Sequence, residues 1–344
     1  MPEYLTVKKL VLKVSICAAA LFIVAAICLF AGPDMTVRLK GFLGIGGHKL
    51  SDVDYQILFH LRLPRIILAA LVGAALACSG VTLQAILRNP LADPYILGIS
   101  SGAALGVAVA VTCGAGLTFL GGSAKALMGF GGAFGTVWLV WCIGHFGSGR
   151  GSSTSLLLAG VVVNAIFSAV VMFLTSIATS AQVKDTAVWL MGNLTDKSPV
   201  ILAISSLCII TGIAVLVAFA QKMNVASLGW QQAKSLGVSI KSLNMVAFAV
   251  SAFITAVAVG LTGLIGFVGL VVPHAGRLIF GPDHRQLIPI SAFFGAVFLV
   301  IADTVARSAF STAELPVGVI TAIAGGPFFL ILLARYNRKV AWPK

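Results

Sequence analysis

Charge is what this chain has least of. Asp and Glu number 10 and Lys and Arg 23 among 344 residues, so 10% of the sequence is charged against 59% hydrophobic, with a mean hydropathy of +1.06. A soluble domain cannot bury that much apolar surface, which excludes a water-soluble enzyme and leaves an integral membrane protein. The dipeptide Gly-Lys does not occur, so the chain has no P-loop of its own to cradle nucleotide phosphates. H-E-x-x-H is absent too, and the five histidines are scattered; no metal site is expected. The six cysteines (Cys17, Cys28, Cys78, Cys113, Cys142 and Cys208) lie in apolar stretches without a C-x-x-C pair. They read as small buried hydrophobes rather than disulfides or ligands.

What is present is a series of charge-poor stretches near the ~20 residues that a spanning helix needs. They lie at about 14–31, 66–87, 95–114, 126–146, 156–176, 199–220, 244–262, 264–280, 287–302 and 317–334. The expectation is an all-α membrane protein of about ten transmembrane helices, residues 1–344 forming one domain. Lys8, Lys9 and Lys13 precede a run with no small-residue cleavage site, so it reads as a retained span rather than a signal peptide. Basic residues favour the cytoplasmic side, which places both termini there. The net charge of +13 suits anionic lipid and needs no nucleic acid. One outer loop runs against the bias: Arg38, Lys40, Lys49, Arg62 and Arg65 fall between Gly32 and Arg65.

Two polar passages interrupt the apolar sequence, Gly80–Gly102 and Gly263–Arg285. Backbone groups cannot stay unpaired in hydrocarbon, so such breaks belong at a membrane surface or around a protein-lined cavity. The Gly98, Gly102, Gly106 and Gly131, Gly135 spacings predict close helix packing. The longest inner segment, 221–243, reads as two short amphipathic helices with a glycine between, and 177–198 as a short outer helix. Gly98-Ile99-Ser100-Ser101-Gly102 matches a serine-hydrolase elbow, a motif that requires a strand-to-helix turn and a His/Asp set. Asp303 and Arg307, one turn apart, are the main ionisable groups within the spans. That poverty weakens a secondary carrier and favours a conduit driven by a partner.

The motifs together resemble a known family. L-R-L-P-R (61–65), G-x-x-L-Q-x-x-x-R-N-P-L-A-D-P-x-x-L-G-I-S-S-G-A (80–103), L-L-L-A-G-V (156–161) and W-L-M-G (189–192) occur in one order with F-V-G-L-V-V-P-H-x-x-R (267–277). G-P-D-H-R (281–285), A-D-x-x-A-R (302–307) and E-L-P-V-G-V-I-T-A (314–322) complete the set. They are similar to the permease family of ABC importers for iron chelates and vitamin B12. The resemblance implies a type II importer fold, a homodimer in the cytoplasmic (inner) membrane, two cytoplasmic ABC ATPase subunits that bind ATP and Mg, and an external or periplasmic substrate-binding protein. It implies no cofactor in this chain and no catalytic residue. It further implies docking of the binding protein on Arg62, Arg65 and Arg307, and a cytoplasmic gate at Ser153 and Thr154. ATPase coupling falls to Val225, Ala226, Leu228, Gly229, Ala233, Leu236 and Gly237, and the fifth and tenth spans line the path. The implied substrate is an iron chelate, foremost a ferric siderophore, with haem and corrinoids beside it and molybdate-like oxyanions further off.

Overall fold

The computed structural model describes residues 6–31, 51–114, 118–119, 122–146, 153–194, 197–309 and 314–340. They form twelve helical elements: α1 (Val7–Phe30), α2 (Asp52–Ile86), α3 (Ile99–Thr112), α4 (Ala124–Phe146), α5 (Ser153–Ile177), α6 (Ser180–Leu190), α7 (Pro199–Ser227), α8 (Trp230–Ser235), α9 (Ile240–Thr262), α10 (Val268–Phe280), α11 (His284–Ser308) and α12 (Val317–Val340). A two-residue β ladder, β1 (Thr118–Phe119) with β2 (Gly122–Ser123), accompanies them. Seven helices are long and apolar enough to span a membrane, and α3, α10 and the described part of α12 are shorter apolar helices. Together they account for the ten expected spans. The short helix expected within 177–198 is α6, opened by a capping box between Thr179 and Gln182.

α2 is the axis of the fold. It packs on α11, α9, α10 and α7, and its residues from Ala69 to Leu83 are largely buried. Gly73 and Gly295 make the α2–α11 approach, each lying where a Cβ would strike the other's carbonyl. α3 and α4 close in the same way at Gly102 and Gly132. The expected stripe of Gly131 and Gly135 is corrected here, since both face open space. Four-residue spacing recurs on several faces of one helix, and only packing selects the face that meets a neighbour. The cysteines also divide. Cys17, Cys28 and Cys78 are buried, whereas Cys142 and Cys208 are half-buried and Cys113 is exposed at the end of α3.

Both polar passages accompany half-length helices. α3 has 14 residues and α10 has 13, about 20 Å each against a hydrocarbon core of ~30 Å. A re-entrant loop, 88–98, completes the first; the 263–267 segment completes the second. Their irregular backbone is satisfied by protein. Gln84 Nε2 donates to the carbonyls of Ala92 and Gly269, both at 3.2 Å. The Tyr95 hydroxyl donates to the Ile265 carbonyl at 3.0 Å and accepts from its N–H at 3.1 Å.

Two segments differ from the expected boundaries. α2 begins at Asp52, some way before the expected 66, so Arg62 and Arg65 sit inside a helix rather than at its start. Its Gln56–Arg62 stretch is a π-helix. Pro64 has no N–H to return to the carbonyl of residue 60, and wider bonding accommodates that gap. The inner segment carries one short helix, not two. α7 runs unbroken to Ser227, about 44 Å for 29 residues, so it overhangs the membrane and delivers α8 beyond it.

Candidate functional site

The three arginines expected at the outer face converge. Arg62 and Arg65 come from α2 and Arg307 from α11, and all three meet near the end of α1. Arg62 Nη1 donates to the Leu29 carbonyl at 2.8 Å, and Arg307 Nη2 donates to that of Cys28. Arg65 divides its fork: Nε donates to Asp303 at 2.8 Å and Nη1 to Glu314 at 2.8 Å. Arg307 Nε stands 4.0 Å from the other Asp303 oxygen. Asp303 is thus a buried carboxylate, 1% exposed, between two guanidinium groups, whereas Glu314 is 61% exposed. Sequence spacing suggested an Asp303–Arg307 pair; the tighter partner is Arg65, a contact between helices that no local spacing reveals. Among the described residues, Arg65 Nη2 and Arg307 Nε are buried without a hydrogen-bond acceptor. Such donors are costly to leave unmade.

The opposite end of the bundle is built around the overhang. Leu228 and Leu236 are 65% and 64% exposed, on either side of α8. Gly229 and Gly237 have φ of 133° and 78° and turn the chain at each end of it. Of the seven expected coupling residues, Leu228, Leu236 and Gly237 present surface. Ala233 is fully buried on the packed side of α8, Gly229 is half-buried before its first residue, and Val225 and Ala226 are half-buried in the last turns of α7. Ser153 and Thr154 open α5, but the side chains of the expected gate lie outside the described residues.

A polar clamp that the sequence did not suggest joins this overhang to the α10–α11 turn. Asn224 Nδ2 donates to Asp283 Oδ1 at 2.6 Å, and the Asn224 side-chain Oδ1 accepts the His284 N–H at 2.9 Å. Arg285 Nη2 donates to Asp283 Oδ2 at 2.7 Å. Burial pushes the Asp283 carboxyl up, but the Arg285 and Asn224 hydrogen bonds prevail and hold it at about 2. The available signal was G-P-D-H-R, where Asp caps the next helix. The serine-elbow motif has no such context. It follows a 3-10 turn, Pro94–Leu97, rather than a strand, and the Ser101 hydroxyl donates to the Gly98 carbonyl at 3.1 Å.

An arginine cluster at one end, an exposed apolar overhang at the other and two half-length helices stand in one helical bundle, and residues 18–335 match the FecCD transport family. The chain belongs to that family. It is 42% identical over 301 residues to the cobalamin import system permease BtuC of Halobacterium salinarum, covering 88% of this chain and 79% of that one. With the hemin transport system permease HmuU of Yersinia pestis it shares 38% over 321 residues, 93% and 95% of the two chains. A solved metal-chelate type ABC transporter in an inward-facing conformation superposes with a TM-score of 0.81 at 31% identity, covering 94% of this chain and 98% of that one. This FecCD protein is therefore a multi-pass permease of an ABC importer, a transport component rather than an enzyme.

Proposed function

We propose that this permease imports a metal chelate by ATP-driven alternating access, as one domain that pairs with a second copy in the cytoplasmic membrane. The observation that carries the reading is the overhang: two large leucines exposed at the water side of an otherwise lipid- and core-directed chain. Large apolar side chains exposed beyond the spans suit a partner's surface, and a pair of ATPase subunits that bind ATP and Mg is the partner such a conduit needs. The N- and C-termini lie on that side. At the opposite end, Arg62, Arg65 and Arg307 receive carboxylates of an external binding protein, a task suited to the planar guanidinium fork.

A ferric siderophore is the first substrate expectation. A second, a cobalamin- or haem-type tetrapyrrole, is favoured by the names of the two relatives cited above. The test is ATP-dependent uptake into vesicles by the reconstituted permease–ATPase complex with its binding protein. Ferric siderophores, haemin, cobalamin and molybdate are presented side by side. Uptake of one chelate that requires both ATP and the binding protein supports importer and substrate together. Uptake indifferent to ATP but responsive to an ion gradient replaces the reading with a secondary carrier.

A further inference from the structure

Arg88, the first residue of the R-N-P run, has no part in the functions above, yet its geometry is unusual. It follows the last turn of α2 with φ of 49°. Its N–H donates to the Ala85 carbonyl at 3.4 Å, and the next N–H, of Asn89, donates to that of Gln84 at 3.2 Å. This is the Schellman pattern of helix ending, whose left-handed position is ordinarily glycine. An L side chain is disfavoured there because its Cβ crowds the backbone carbonyl. An arginine held in that conformation calls for a compensating use of its side chain.

That use is visible. Arg88 Nη2 donates to the Ala226 carbonyl at 2.8 Å, in the last turn of α7. Its guanidinium carbon lies 4.6 Å from the ring centroid of Trp230, the first residue of α8, within cation–π range. One side chain from α2 therefore grips both sides of the α7–α8 hinge. Behind it a shallow cavity opens between Ile86 of α2, Met223 of α7 and Leu243 of α9. Among the described residues, no other side-chain hydrogen bond, ion pair or ring contact joins the 225–238 segment to α2.

We propose that Arg88 is a positioning residue for energy coupling. It ties α8 to the inner end of α2, so a displacement of α8 by the ATPase carries the re-entrant loop 88–98 with it. The inference rests on the coupling role proposed for α8. The left-handed geometry also supplies the discriminating variant. Arg88→Gly removes the grip while placing at this position the residue its backbone prefers, so folding is preserved or improved.

The experiment uses the full permease–ATPase complex in nanodiscs, its six cysteines replaced. Spin labels at Gln232→Cys on α8 and Pro90→Cys in the loop are read by pulsed EPR without nucleotide and after vanadate trapping. A second pair, Gln232→Cys with Ser242→Cys on α9, reports α8 motion itself. With Arg88 present, the 90–232 distance is the same in both states; in Arg88→Gly it shifts and broadens on trapping. Uptake of the transported chelate per ATP hydrolysed falls about tenfold in Arg88→Gly, a scale typical of lost inter-site coupling, while thermal stability does not fall. Trp230→Phe, which keeps an aromatic face, behaves as the native complex, and Trp230→Ala as Arg88→Gly. Native distances and coupling in Arg88→Gly overturn the proposal alone. If α8 does not move relative to α9 in the native complex, the coupling reading falls and takes this inference with it.

Discussion

Asp303 sets the terms on which the outer arginines can be probed. Its carboxylate is 1% exposed, with Arg65 hydrogen-bonded at 2.8 Å and Arg307 farther off at 4.0 Å. Removing one member of a buried pair leaves an uncompensated charge and costs ~3–5 kcal/mol. Arg65→Ala is therefore expected to lower the thermal stability of the purified permease sharply, and Arg65→Ala/Asp303→Asn to recover much of the loss. An unchanged melting temperature in the single variant would show that the pair contributes nothing. Charge reversal at Arg65 thus tests folding before docking, whereas Arg62, bonded to a backbone carbonyl, is the cleaner docking probe. Glu314 has the opposite character. It is 61% exposed and occupies the Nη1 of Arg65 that an incoming carboxylate would use. Exposed pairs are worth ~1 kcal/mol or less, so Glu314→Gln should tighten binding-protein docking by about threefold to fivefold in a titration. Weaker docking would instead make Glu314 part of the docking surface.

Among the elements, α7, α8 and the α10–α11 turn form the inner face, and two predictions belong to them. Leu228 and Leu236 are exposed at the two ends of α8, past the length of α7 that a bilayer accommodates. Replacing both with Asp should abolish co-purification of the ATPase while leaving the permease folded; full recovery of the complex would remove α8 from the interface. The Asp283 clamp predicts a pH window. Its folded pKa, about 2, lies below the unfolded value of ~3.9, so its stabilisation is complete above about pH 5 and lost as pH falls toward about 2. Acid unfolding of native protein should steepen in that window, and Asp283→Asn should flatten it. An identical acid profile would leave the clamp without electrostatic content. Asp283 was legible as part of a turn motif because helix capping is local. Its bond to Asn224 was not, since 59 residues separate them. For the same reason the hydropathy profile located α7 yet missed its overhang. Ala226 and Ser227 continue a helix as readily in water as in lipid, and the stop comes only at Gly229.

Across the whole molecule, the spans and their polar breaks were readable because hydrocarbon imposes length and backbone satisfaction on any sequence, whereas the shortening of the spans expected at 95–114 and 264–280 to helices of 14 and 13 residues was not. Which faces remain uncovered was not, since α5 is apolar nearly all round. Its exposed face now shows polarity that lipid would not tolerate. Asn164 and Ser168, one turn apart, are both exposed, and Asn164 lies about 17 Å along the helix, near mid-membrane. Neither makes a hydrogen bond among the described residues. On α7, by contrast, the exposed residues Ile204, Leu207 and Ile210 are apolar, and the Thr211 hydroxyl bonds back to its own helix at 2.6 Å. An unsatisfied amide costs several kcal/mol in hydrocarbon, so the α5 face is expected to border the aqueous path between two copies and the α7 face to border lipid. In a cysteine-free background, Asn164→Cys should react with a charged, water-soluble methanethiosulfonate, at a rate that changes when the ATPase is trapped with vanadate. Ile210→Cys should remain unreactive in both states. Equal protection at the two positions would place α5 against lipid and remove it from the path, whereas reaction at 164 independent of nucleotide would give it water without gating.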